Sequence, residues 1–160
     1  MSDDFEYPYK HHSRTVGYAR EDNKWIQRAK EVAQSTSLDK FVPTGAVIVK
    51  DGKELGFGAN GSETHIKHGC RRIVMNSKTG EDYHLCEGCQ PHNHAEFRAI
   101  QSAKQKLSSL IHCDLYLWGH YGICKDCWQL IEKNKITRVF LIENANYLFN
   151  KKNPNNILRK

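Results

Sequence analysis

Two short stretches of this chain, His92-Asn93-His94-Ala95-Glu96 and Gly122-Ile123-Cys124-Lys125-Asp126-Cys127, have residue types and spacing that suit chemistry. Together they offer one imidazole (His94), two thiols at CxxC spacing (Cys124 and Cys127) and a carboxylate, Glu96, two residues after the imidazole. One His and two Cys hold a zinc ion while leaving its fourth position open to water, which is the arrangement of a catalytic zinc. Two thiolates and a neutral imidazole cancel the 2+ charge of the ion, and Glu96 is left over as the group that moves protons. Each half has a plainer reading. A lone CxxC can be a redox pair or buried packing, and a lone His-Ala-Glu is uninformative. The combination is more specific because both halves fall at the starts of helices.

The elements that must position these groups can be read from periodicity. Asn93 can cap a helix running from His94 towards Leu107, with Ala95, Ala99, Ala103 and Leu107 in line every fourth residue. Leu115-Tyr116-Leu117-Trp118 reads as a buried strand. Ile123 to Lys133 reads as a second helix, with Cys124, Cys127, Trp128 and Ile131 on a shared face, and Thr137 to Ile142 as another strand. Strand, helix, strand at this spacing predicts parallel pairing. Thiols three apart face one point, and a helix N-terminus favours the thiolates that zinc requires.

Upstream, Asp22 or Asn23 caps a helix that buries Trp25, Ile26, Ala29, Val32 and Ala33 and ends near Ser35 to Ser37. The β-branched run Thr44 to Lys50, the turn signal Asp51-Gly52 and the stretch Lys53 to Gly61 predict a β-hairpin. Its glycines at 56, 58 and 61 let the second strand bend or let a ligand approach its backbone. On its own, Asn60-Gly61 reads as a turn. Residues 1–21 are expected to form an extended arm docked through Phe5, Tyr7 and Tyr9. Residues 22–160 are expected to form a single domain with an insertion at 62–91, ending in a short docked helix around Tyr147-Leu148-Phe149 and a frayed tail.

A chain of 160 residues supports one hydrophobic core. With 39% hydrophobic and 26% charged residues and a mean hydropathy of -0.70, it has no window near the roughly 20 consecutive apolar residues of a membrane span. The first twenty residues lack an apolar stretch, and six cysteines without a secretion signal suit a reducing compartment, so the expected location is cytoplasmic. A net charge of +6 suits an anionic partner, although acidic residues lie among the scattered lysines and arginines.

Residues 62–91 show no periodicity and are long for a connection, and such segments are functional or held by something. They carry His65, His68, Cys70, Arg71, Arg72, His84, Cys86 and Cys89, with His92 following. Cys70, Cys86 and Cys89 with one of these histidines, His68 being the provisional choice, can close a second zinc site that staples the loop. Three reduced cysteines are the plain alternative. Arg71 and Arg72 are candidates for a substrate phosphate.

The arrangement His94-x-Glu96…Cys124-x-x-Cys127 resembles the H-x-E…P-C-x-x-C signature of the zinc-dependent cytidine and deoxycytidylate deaminase superfamily, in its deoxycytidylate-like branch. Thr44 to Gly52 and Gly58-Ala59-Asn60-Gly61 are similar to the first hairpin of that branch, and the resemblance covers roughly residues 22–142. It implies a three-layer α/β/α sandwich with a mixed five-stranded sheet. It implies His94, Cys124 and Cys127 as zinc ligands and Glu96 as the proton shuttle. Asn60 then becomes a sugar contact, and the backbone of Ala95 and Cys124 faces a pyrimidine edge. The implied activity is deamination of a cytosine nucleotide such as dCMP, by a homo-oligomer that needs no membrane. A nucleic-acid base deaminase and a non-catalytic zinc module are the alternatives. The chain departs from the pattern at Ile123, where the family has Pro, and at Gly119-His120-Tyr121-Gly122. Ile123, His120 and Tyr121 are therefore candidate substrate contacts.

Overall fold

The strand Gly45–Lys50 (β2) is buried from Gly45 to Val49, as a β-branched run covered on both faces should be. The computed structural model describes residues 7–158, so Phe5 lies outside the described residues. Asp51 and Gly52, both at positive φ, turn the chain into Lys53–Ala59 (β3), antiparallel to β2. Asp114–Trp118 (β4) pairs antiparallel with the other edge of β2. Arg138–Ile142 (β5) lies parallel to β4, and Gly17–Ala19 (β1) parallel to β5. The result is a mixed five-stranded sheet in the order β1-β5-β4-β2-β3. β1 falls inside the stretch read as an arm. Three residues are too few to show a period, and long-range pairing with β5 makes the strand.

Helices cover both faces. Lys24–Thr36 (α1) is capped by Asn23, whose side chain accepts from the N–H groups of Trp25 (2.9 Å) and Ile26 (3.1 Å). Ala95–Lys104 (α4) lies on the opposite face. A Cβ on Gly45 would meet the α1 backbone at Ala29 (2.3 Å), whereas one on Gly56 or Gly58 would meet the α4 backbone at Ala103 N (2.4 Å) or Ala99 N (2.5 Å). Gly58 pairs with Ala46 and Gly45 with Ala59, and cross-strand partners share a face, so the two helices lie on opposite sides. This is the three-layer α/β/α arrangement. It also corrects the reading of Gly56 and Gly58, which admit a helix and not a ligand. Fully buried Ala99 and Ala103 meet them, and this small-on-small seam seats α4 against β3.

Lys125–Lys133 (α5) connects β4 to β5 and packs beside α4. Cys124, not Ile123, is its N-cap, and His94, not Asn93, caps α4. The insertion folds into Glu63–His68 (α2), Arg71–Val74 (α3) and three single 3-10 turns ending at Pro91–Asn93. After β5 the chain forms Ala145–Phe149 (α6), docked through buried Ala145 and Phe149. It does not fray there: Ile157 N–H donates to the Leu148 carbonyl (2.9 Å), which brings residues 151–158 back over the insertion. Among the described residues no helix is long and apolar enough to cross a membrane.

Candidate metal centre and active site

The starts of α4 and α5 bring His94, Cys124 and Cys127 together, with their ligand atoms all within 4.8 Å of one another. His94 and Cys124 are both N-cap residues with extended backbone and no capping hydrogen bond, so their side chains turn towards each other. His94 Nδ1 lies 3.5 Å from each sulfur, while its Nε2 faces the carbonyl of Cys89 at 2.9 Å. A carbonyl only accepts, so Nε2 carries a proton, and Nδ1 is the nitrogen turned to the sulfurs, the one a metal would take in exchange for its proton.

The electrostatics fit a divalent cation. The hydrogen bond from Cys127, reinforced by His94, holds the Cys124 thiol well below its ordinary range. Burial, and then its bond to Cys124, push Cys127 well above it. The first proton of the pair is lost easily and the second reluctantly, and a 2+ charge is what allows both thiols to ionise together. The spacing agrees as well: a tetrahedron with Zn–S near 2.3 Å and Zn–N near 2.05 Å has N–S edges of about 3.6 Å. Burial, the largest influence, lowers the His94 pKa, but Cys124 and Glu96 overcome it and raise it to about 9. Glu96, in the first turn of α4, is 5% exposed, and its carboxyl is pushed up by burial against the pull of His94.

A cavity of about 650 Å³ opens onto these groups. His94, Glu96 and Cys124 form one end, and Arg72, Lys78, Lys151 and Lys152 line the insertion and tail side. A larger depression of about 760 Å³ along α1 contains none of these donors and is the open surface of a charged helix. Asn60 and Ala95 line the cavity, as does His120. The Asn60 amide is largely committed to the chain. Its oxygen accepts from Ser37 Oγ (2.6 Å) and Thr44 N–H (2.9 Å), and its nitrogen donates to the Val42 carbonyl (2.9 Å). One amide hydrogen is left for a ligand.

Three expected contacts lie elsewhere. Ile123 is a core residue, and its carbonyl accepts from Tyr9 N–H (3.2 Å). Tyr121 packs edge-on against Tyr7, with centroids 5.0 Å apart. Arg71 is exposed, and its neighbour Arg72 takes the cavity position. Arg72 stacks over Tyr83 (4.9 Å) and donates to the carbonyls of Glu81 (2.8 Å) and Lys78 (3.1 Å). Tyr83 in turn meets His94 edge-on, with centroids 4.9 Å apart. Tyr7, expected only to dock the N-terminal arm, and Tyr83 and the two tail lysines, which carry no signal in the sequence, reach the cavity through tertiary contact.

The insertion gathers a second donor set, His65, Cys70, Cys86 and Cys89, also within 4.8 Å of one another. His65, not His68, is the fourth member. His68 ends α2 in solvent, and Gly69 at φ 71° then turns the chain so that Cys70 points inward. His65 Nε2 lies 3.2 Å from Cys86 Sγ and 3.5 Å from Cys89 Sγ. Gly88 leaves room for the ring, since a Cβ there would lie 2.6 Å from it. Three thiols and an imidazole supply four protein donors, the complement of a closed, structural type of zinc set. The insertion is tied to α4 as well: Asn93 donates to Glu87 (2.8 and 2.9 Å) and accepts from Arg98 (2.7 Å).

The model of the cytidine and deoxycytidylate deaminase zinc-binding region matches residues 19–143. Riboflavin biosynthesis protein RibD of Chlamydia pneumoniae is 36% identical over 74 residues, which cover 46% of this chain and 19% of that protein, so the chain spans about a fifth of that relative. Among solved structures, dCMP deaminase from the cyanophage S-TIM5 is similar at 23% identity over 73% of this chain and 78% of its own, with a TM-score of 0.50. Guanine deaminase from Bacillus subtilis is similar at 25% identity over 80% and 70%, with a TM-score of 0.49. The matched span contains β2 to β5 and both parts of the donor set at α4 and α5, and the chain therefore belongs to the cytidine and deoxycytidylate deaminase family of zinc-dependent enzymes.

Proposed function

We propose that the chain is a hydrolytic deaminase of a cytosine mononucleotide, dCMP or a close relative. The carrying observation is a single cavity lined both by Glu96 with the His94 and Cys124 donors and, from the insertion and tail, by Arg72, Lys78, Lys151 and Lys152. His94, Cys124 and Cys127 would hold zinc, which when bound supplies the Lewis acidity that makes water a nucleophile near neutral pH. Burial raises the Glu96 carboxyl pKa, which suits a group that both takes and gives a proton, so Glu96 can take the proton of water at a carboxylate oxygen and pass it on. The water oxygen bonds to the ring carbon, the bond to the exocyclic nitrogen breaks, and that nitrogen leaves as ammonia with the relayed protons. The backbone of Ala95 and Cys124 and the spare Asn60 amide hydrogen orient base and sugar.

The cationic residues of the lining support a phosphate on the substrate. Lys151 donates to the Ser77 carbonyl, and burial together with the nearby Arg72 charge lowers its pKa. Two cations set this close gain from an anion between them. Closure of the cavity by residues 151–158 favours a mononucleotide over a base within a nucleic-acid chain. With dCMP and deoxycytidine compared side by side, kcat/KM should favour dCMP by more than tenfold. Replacing Lys151 and Lys152 by Gln should erase most of that margin. Equal rates on the two, or preferred release of ammonia from guanine, cytidine or a tRNA, would contradict the substrate assignment. A homo-oligomer acting without a membrane belongs to the same proposal, and sedimentation of the purified chain would check it.

A further inference from the structure

Tyr7 reaches the cavity from the N-terminal stretch, and two glycines on other segments make room for it. A Cβ on Gly80 of the insertion would lie 2.6 Å from the Tyr7 Cβ, and one on Gly122 before α5 would lie 2.4 Å from the Pro8 Cβ. Two segments that carry no periodic signal thus close on one dipeptide. Its phenol is buried, and burial, with the neighbouring Tyr83 and Glu96, raises its pKa well above the ordinary range, so it stays protonated.

The hydrogen bonds of that phenol fix more than its own position. The Tyr7 hydroxyl donates to the Gly122 carbonyl at 2.6 Å, and a carbonyl can only accept. A hydroxyl has one hydrogen, so its second contact, His120 Nδ1 at 3.2 Å, must run the other way, with Nδ1–H donating to the phenol oxygen. Burial, the largest influence, with the nearby Arg72 charge, holds the His120 pKa well below its ordinary value, so the ring is neutral. A neutral ring with its proton on Nδ1 leaves Nε2 as a bare acceptor. His120 lines the cavity, and Nε2 has no hydrogen-bond partner among the described residues.

We infer that Tyr7 is a positioning residue that locks His120 in the Nδ1-protonated tautomer, so that Nε2 presents a pure acceptor to an N–H or O–H donor of the substrate. The tautomer follows from the chain alone, and the identity of the donor rests on the proposed deaminase reading. A buried acceptor of this kind discriminates against molecules that lack the matching donor, because it is then left unpaired.

The direct test is a long-range 15N–1H spectrum of histidine-labelled, zinc-loaded protein, with the His120 signals identified by their loss in His120→Asn. The wild type should show the Nδ1-protonated pattern without substrate, and Tyr7→Phe should shift it to a mixture or to the Nε2-protonated form. With dCMP, the loss in Tyr7→Phe should fall mainly on KM, which rises roughly threefold to tenfold. Zinc content should not change. A 3′-deoxy nucleotide insensitive to Tyr7→Phe would assign the donor to the sugar hydroxyl, and a base without sugar that keeps the sensitivity would assign it to ring or amino N–H. Gly122→Ala, which presses on Pro8 and leaves the phenol intact, should produce the same tautomer shift. An Nε2-protonated His120 in the wild type would overturn the inference, as would a KM change in Tyr7→Phe with no tautomer change. If no substrate is turned over, the deaminase reading fails on its own, and the spectrum still decides the tautomer.

Discussion

Glu96→Gln is expected to lower turnover by about 10²- to 10⁴-fold, the range contributed by a positioned acid–base group, while zinc bound per chain stays at the wild-type value. Gln keeps the volume and the α4 backbone and removes only the ability to cycle a proton. Glu96 is 5% exposed, so bulk water is poorly placed to replace it. The carboxylate is not one of the three donors, so metal content should not follow activity. An active Glu96→Gln protein would remove Glu96 from the mechanism. A protein that loses zinc together with activity would instead make Glu96 part of the metal set. Metal analysis beside initial rates separates the two.

His65→Ala is expected to reduce bound zinc from two ions per chain to one and also to weaken the site that remains. The second effect follows from the Cys89 carbonyl, which accepts from His94 Nε2 at 2.9 Å while the Cys89 sulfur sits in the insertion cluster. The cluster therefore holds the group that orients His94. Losing such an outer partner costs about 10- to 100-fold in metal affinity. Competition with a chelator, followed by cobalt absorption at the Cys124 and Cys127 thiolates, reads this without reference to activity. His68→Ala is the matched control: that side chain is exposed at the end of α2 and outside the donor set, so neither stoichiometry nor affinity should change. One zinc in the wild type would remove the second site, and an unchanged affinity in His65→Ala would remove the coupling.

The groups legible in the sequence share a property: their geometry is set within a few residues. Cys124 and Cys127 sit three apart at a helix start, and His94 and Glu96 two apart at another, so local backbone alone orients them. The hairpin at Asp51-Gly52 and the strand–helix–strand around α5 are equally local. Orientation that depends on a positive-φ hinge or a distant partner is not legible in the sequence. Gly69 decides that Cys70 joins the cluster while His68 stays in solvent. The four-residue α3 decides that Arg72 and not Arg71 faces the cavity. β1 exists because β5 offers it an edge, and the tail lysines enter because Ile157 returns to Leu148. Gly56 and Gly58 read as flexibility in one dimension and serve as a helix seat in three.

Glu96 and the donors beside it are where the proposed chemistry takes place. Zinc-loaded protein incubated with dCMP in H₂¹⁸O, with product followed by mass spectrometry and ammonia by a coupled assay, tests it in one measurement. Hydrolytic deamination predicts dUMP carrying one ¹⁸O on the ring for each ammonia released, with Glu96→Gln near background. Binding of dCMP without ammonia, or a product without ¹⁸O, would contradict it.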